Sequence, residues 1–221
     1  MRLPLLMLLT LSMGFYAHAQ EDAKSKSILE KVASTHNKLK TFKVNFKFTS
    51  SNIGSKEPAR VESGKLLIKD TKYHLTMPNS DIVFDGKSVY NYLKEPNEIN
   101  ITKPEPAKID KGDFFFSNPR DLFKGYNKNF KSSFIKETSI NKYQCYEIDL
   151  YPIDLKTNYS RIRMHIDKAT YQLIDIKLFQ KDGNQHLLEF SDFVANAPLD
   201  DKEFAFDTKK YPNAEVNDMR F

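Results

Sequence analysis

IVFDGKSVYNYL, residues 82–93, sets Asp85-Gly86 between two runs of β-branched and aromatic residues. An Asp-Gly pair accepts the positive φ of a tight turn, so the stretch reads as two antiparallel strands joined in a hairpin. Its large side chains, Phe84, Tyr90 and Tyr92, either fill the protein's own core or line a surface for a guest. The flanking chain repeats the pattern. In TFKVNFKFTS, residues 41–50, Phe42, Val44, Phe46 and Phe48 alternate with Lys43, Asn45 and Lys47, the period of two expected of a strand with one buried face.

The same alternation returns between turn signals at residues 52–58, 70–71, 78–79, 95–97, 141, 154–158, 167–168 and 182–184. Short strands joined by tight turns predict an antiparallel meander. The residues expected to face inward are Leu66 and Ile68, then Tyr73, Leu75 and Met77, then Ile82 and Phe84, Tyr90 and Tyr92, Ile99 and Ile101. Later ones are Phe130 and Phe134, Tyr146, Ile148 and Leu150, Ile162, Met164 and Ile166, Ile174, Ile176 and Leu178, and finally Leu188 and Phe190. Ahead of the strands, residues 25–40 put Ile28, Leu29, Val32 and Leu39 on one side at helical spacing, with Ser25 or Ser27 as N-cap. Residues 103–125 break the alternation. Pro104 and Pro106 forbid a ladder strand at the start of this segment, and Phe114, Phe115, Phe116, Leu122 and Phe123 cluster about Asn118-Pro119, which predicts two short helical turns forming an apolar lid on a polar tether.

The amino terminus carries Arg2, an apolar run and then Ala17-His18-Ala19, the pattern of a cleaved secretory signal, so residues 1–19 are expected to be removed and 20–221 to form one domain outside the cytoplasm. The single Cys145 allows no intramolecular disulfide, and no Cys follows the expected cleavage point to receive a lipid. A net charge of +5 is spread along the chain without a run of five like charges, which argues against nucleic acid as a partner. Seventeen Phe and eleven Tyr accompany a mean hydropathy of -0.57. Abundant aromatic mass in a polar chain is what sheets with one apolar and one wet face require.

No pattern of catalysis emerges. His36, His74, His165 and His186 stand apart, without zinc-ligand spacing, and read as surface or strand-edge residues. Glu147 and Asp149 share a strand face that reads as solvent. Nucleophile-elbow, Walker and dinucleotide motifs are missing from the sequence, so neither an enzyme nor a cofactor is expected. What the chain does offer is apolar area. One helix and one Phe-rich segment must cover ten or so curling strands, and the pattern alone leaves two fillings open: the chain's own aromatics, or a cavity.

The order of segments resembles the periplasmic outer-membrane lipoprotein carrier proteins, the LolA-like family. A helix precedes the Phe42–Phe48 strand, a glycine-led strand starts at Gly64, and the hydrophobic strand into Asp85-Gly86-Lys87 leads to Tyr90-Asn91-Tyr92. Asn118-Pro119 stands before Leu122, and Phe204-Ala205-Phe206 is followed by Pro212. The resemblance implies an unclosed antiparallel half-barrel of ten or eleven strands, mainly β with an N-terminal helix and a short helical lid over the concave face. It implies a cavity for the acyl chains of lipoproteins, lined by the inward residues from Phe42 to Phe190 other than Phe130, Phe134, Leu150, Ile166 and Leu178, and closed by the five lid residues. Acylated lipoproteins would be the cargo, an inner-membrane lipoprotein-releasing ABC transporter the donor, and the working form a monomer. Where family members carry a latch arginine, the matching position is Asp70, which either accepts from lid amides or, the reading preferred, starts a turn. Leu67 and Tyr90 stand where relatives carry tryptophan. Other readings are a binding protein for a different amphiphile, such as a glycolipid or aryl-polyene lipid, and a lipoprotein-sensing adaptor of the same fold.

Overall fold

The computed structural model describes residues 13–104, 119–123 and 129–221. The opening helix, α1, runs Met13–Asn37, longer at its start than residues 25–40 and shorter at its end. Ser25 is therefore not an N-cap. It lies buried inside the helix, where its hydroxyl donates to the Asp22 carbonyl at 2.8 Å and meets the Ser132 hydroxyl at 2.8 Å. Among the described residues, no helix is long and apolar enough to cross a membrane.

Among the described residues, twelve strands form one sheet. They are β1 Thr41–Asn52, β2 Arg60–Lys69, β3 Lys72–Thr76, β4 Ser80–Phe84, β5 Val89–Leu93, β6 Glu98–Thr102, β7 Phe130–Ile140, β8 Tyr143–Pro152, β9 Tyr159–Asp167, β10 Leu173–Gln180, β11 Asn184–Ala195 and β12 Glu215–Asp218. Their order across the sheet is β12-β6-β5-β4-β3-β2-β1-β11-β10-β9-β8-β7. Eleven strands pair antiparallel, and β12 adds a parallel edge on β6, one strand beyond the ten or eleven expected. The sheet is unclosed, with β12 and β7 at its two edges.

The chain starts in the middle of the sheet, winds out to one side through β6, crosses to the far edge at β7, and winds back until β11 lies beside β1. The link between β6 and β7 therefore joins strands at opposite ends of the strand order. Its described part, the 3₁₀ turn Pro119–Phe123, joins Ile28, Leu29 and Val32 of α1 over the concave face, and Leu122 and Phe123 enter the same buried cluster as the strands beneath. The expected Phe114, Phe115 and Phe116 of the lid lie outside the described residues, as does the start of the expected signal.

Candidate functional site

The concave wall is built by alternation. Phe42, Val44, Phe46 and Phe48 of β1 project inward beside Leu66 and Ile68 of β2, and Tyr73 and Leu75 of β3 stand opposite Phe84 and Ile82 of β4. On the other side of β1, Leu188 and Phe190 of β11, Ile176 of β10, Ile162 and Met164 of β9, and Tyr146 and Ile148 of β8 continue the wall. Met77, Phe84, Tyr146 and Phe190 pack against this cluster while keeping part of their surface exposed. Gly64 makes room for the ring opposite it: a Cβ there would lie 2.5 Å from Phe46 Cζ and 2.2 Å from the Thr76 carbonyl oxygen. From the cover, the Phe123 ring sits 5.1 Å from Phe42, 5.6 Å from Phe190 and 4.8 Å from the His36 imidazole.

Five expected wall residues belong elsewhere. Phe84 pairs with Val89, so Val89 takes the inward parity on β5 and Tyr90 and Tyr92 point to the outer face. Tyr90 pairs with Ile101 and Tyr92 with Ile99, which carries both isoleucines outward as well. They are buried there by the carboxy-terminal segment: Phe206 stacks on Tyr90 at 5.2 Å, Tyr211 lies 4.4 Å from Tyr92, and β12 pairs along Ile99 and Ile101. The fifth is Ile174. A bulge between Leu173 and Asp175 gives the inward place to Leu173, and Ile174, though buried, stands outside the core cluster.

The sequence reading also missed Phe193. Asp192, at a φ of 52°, is the extra residue of a bulge in β11, so the inward parity passes from even positions to Phe193, whose ring stacks on Phe42 at 5.2 Å. Asp70, at a φ of 52°, occupies the turn between β2 and β3, as its preferred reading had it.

The polar side chains correct the surface reading of the histidines and acids. His36 is buried, and burial lowers its pKa, opposed by its hydrogen bond to the Val32 carbonyl. On the outer face, Glu147 and Asp149 are buried rather than solvated. Arg163 donates through Nε and Nη2 to Asp149 at 2.7 and 2.8 Å and pairs with Glu147 at 2.9 Å. His165 bridges Asp175 at 2.7 Å and Glu147 at 3.4 Å. Burial alone would lower the His165 pKa, but the hydrogen bonds and charges of those two carboxylates outweigh it, and the net shift is upward. Cys145, also buried, has its thiol pushed up to about 11 by burial and by the charge of Asp167, which leaves it a structural residue. Beneath the carboxy-terminal segment the outer face holds a cleft of about 350 Å³, bordered by His74, Val83, Phe206 and Tyr211 and separate from the concave wall.

The model of the family described as outer membrane lipoprotein carrier protein LolA matches residues 37–207. An uncharacterized protein of Methanocaldococcus jannaschii is 23% identical over 192 residues, 87% of this chain; the chain spans about half, 54%, of that protein's length. An uncharacterized conserved protein from Thermus thermophilus shares the fold, with a TM-score of 0.59 at 10% identity over 88% of this chain and 99% of that one. A LolA superfamily protein from Nitrosomonas europaea superposes with a TM-score of 0.44 at 14% identity, over 82% and 97% of the respective chains. With the family model matched from residue 37 to residue 207, the chain belongs to the outer membrane lipoprotein carrier protein LolA family.

Proposed function

We propose that this protein is a non-enzymatic carrier, which holds the acyl chains of lipoproteins against its concave wall and conveys them through the periplasm from the inner to the outer membrane. Family membership supports binding of lipid or lipoprotein. The observation that carries the reading is the imbalance of the two layers: apolar side chains from ten strands face inward, while the described cover is one helix and one five-residue turn. Three acyl chains hold on the order of forty-five methylene groups, each worth ~0.8 kcal/mol when removed from water, so an exposed lipoprotein cannot cross an aqueous space unaided. A wall of Phe, Leu, Ile and Met offers many weak contacts and few hydrogen bonds to break on release. The wall residues that line β1–β4 and β8–β11 are the proposed binding surface, and Leu122 and Phe123 the described part of the cover. In this reading residues 1–19 direct export, 20–221 act as one monomeric domain, and an inner-membrane lipoprotein-releasing ABC transporter hands over the cargo.

Displacement of a fluorescent acyl probe tests the reading. A triacylated peptide should displace it, and the same peptide without acyl chains should not. Spin labels at Arg120 in the cover and Lys177 on β10 should move apart as the acylated peptide is added. Failure of the probe to bind, or equal displacement by both peptides, would overturn the proposal. Mass spectrometry of lipids retained on the purified protein separates lipoprotein from glycolipid or aryl-polyene cargo.

A further inference from the structure

Three buried side-chain polar atoms lack a hydrogen-bond partner among the described residues: His36 Nε2, His186 Nδ1 and Asn91 Oδ1. Strand register brings His186 and Asn91 to the concave side, and ring contacts with Phe42 and Phe123 place His36 there. His186 shares the inward parity of Leu188 and stacks on Phe48 at 5.6 Å. Asn91 pairs with Ile82. His36, at the end of α1, lies against Phe42, and Phe42 and Phe48 are six residues apart on β1, roughly 20 Å. Unpaired polar atoms are rare in protein interiors, because each gives up its hydrogen bonds to water and receives nothing in return. Three of them spread along one apolar wall point to a guest that brings hydrogen-bonding groups of its own.

For His36 the chemistry of that group follows from the tautomer. Nδ1 lies 3.0 Å from the Val32 carbonyl oxygen, which can only accept. Nδ1 therefore carries the proton in the neutral ring, and Nε2 presents a bare lone pair that requires a donor. The residue is 5% exposed, so water has little access. The rings around it, Phe42, Phe123 and Phe193, have no N–H or O–H to offer. Phe123 belongs to the segment that covers the wall, so whatever lifts that segment arrives beside Nε2.

Resting on the carrier reading, we propose that His36 recognises the polar linkage of the cargo, with Nε2 accepting a hydrogen bond from the secondary amide N–H of an N-acylated chain. In such an amide the donor sits directly beside the hydrocarbon, which suits an acceptor enclosed by phenylalanine rings. An ester offers no donor at that point.

The test compares N-methyldodecanamide, which has one N–H, with N,N-dimethyldodecanamide, which has none. Both are titrated into the wild-type protein and His36→Phe at pH 8. The preference for the N–H amide should be about three- to tenfold larger in the wild type than in the variant. Independently of any substitution, the imidazole ¹⁵N resonance of His36 Nε2 should move upfield with the N–H amide and stay in place with its dimethyl counterpart. An equal preference in both proteins, or an equal response of Nε2 to both amides, overturns the inference while leaving the carrier intact. If neither amide binds, the carrier reading falls and this inference with it.

Discussion

His36 and His165 are both enclosed, yet their contributions to stability run in opposite directions with pH. His36 is held neutral by burial against Phe42, Phe123 and Phe193, so its folded pKa lies below the ordinary 6.5. Below about 6.5 the unfolded chain binds a proton that the folded one refuses, and the His36 region loses stability as the pH falls toward its folded pKa. His165 faces Asp175 and Glu147, and its folded pKa is raised. Its contribution is fully present below about 6.5 and is lost as the pH rises through the folded value. Chemical denaturation from pH 5 to 8 should separate the two. His36→Phe should flatten the loss on the acid side and, by replacing an unpaired polar atom with an apolar ring, stay within about 1 kcal/mol of wild type at pH 8. His165→Gln should cost about 2 kcal/mol at pH 5 and less at pH 8. The same slope in wild type and variant would remove either assignment.

At the scale of elements, two faces of one hairpin decide what the carboxy-terminal segment does. The sequence of β5 alternates Val89, Asn91 and Leu93 against Tyr90 and Tyr92, and size alone favours the tyrosines as the inward set. The pairing of Phe84 with Val89 across the turn reverses that choice, because a shift of one residue moves every side chain to the other face. The tyrosines then require a cover of their own. It comes from Phe206 and Tyr211, stacked on each other at 5.4 Å, while Phe204, in the 3₁₀ turn Asp201–Phe204, is buried where that turn packs on β3. Phe204→Ala should cost about 3–5 kcal/mol in urea unfolding, while the folded protein keeps its affinity for an acyl probe. Lost affinity would place the guest on the outer face instead. Gly64→Ala acts on the concave side. The Thr76 carbonyl cannot retreat from the added methyl without disturbing the β2–β3 ladder, so a loss of about 1–3 kcal/mol is expected, with probe affinity lowered as Phe46 is displaced. Helix, strand sequence and most of the wall were legible, because period-two runs such as Phe42–Phe48 carry their own phase. The bulges at Asp192 and Ile174 were not, since the alternation is interrupted only in three dimensions, where two residues face one on the neighbouring strand. The burial of Glu147 was hidden for a similar reason: Arg163 reaches it from another strand.

Across the whole molecule, topology determines which layer can move. β1 lies near the centre of the sheet with β2 and β11 on either side, so separating it would break two long ladders at once. The described part of the β6–β7 connection, the 3₁₀ turn Pro119–Phe123, lies outside the strand ladders and places Leu122 and Phe123 in the buried cluster of the concave face. A cover anchored by side-chain burial opens at lower cost than a strand leaves a ladder, because only the burial of a few side chains is given up. Native-state hydrogen exchange should therefore find the slowest amides in β1, β2 and β11. Addition of an acylated peptide should alter exchange in residues 119–123 and in the last turns of α1. The outer-face segment 201–211 is fastened to β3 through His74, whose Nδ1 donates to the Glu203 carbonyl at 2.8 Å, and should exchange as before. A response confined to residues 201–211 would assign cargo to the cleft beneath them, since a guest on the concave wall would displace the side chains of α1 and of residues 119–123 that pack there, and not the outer-face segment.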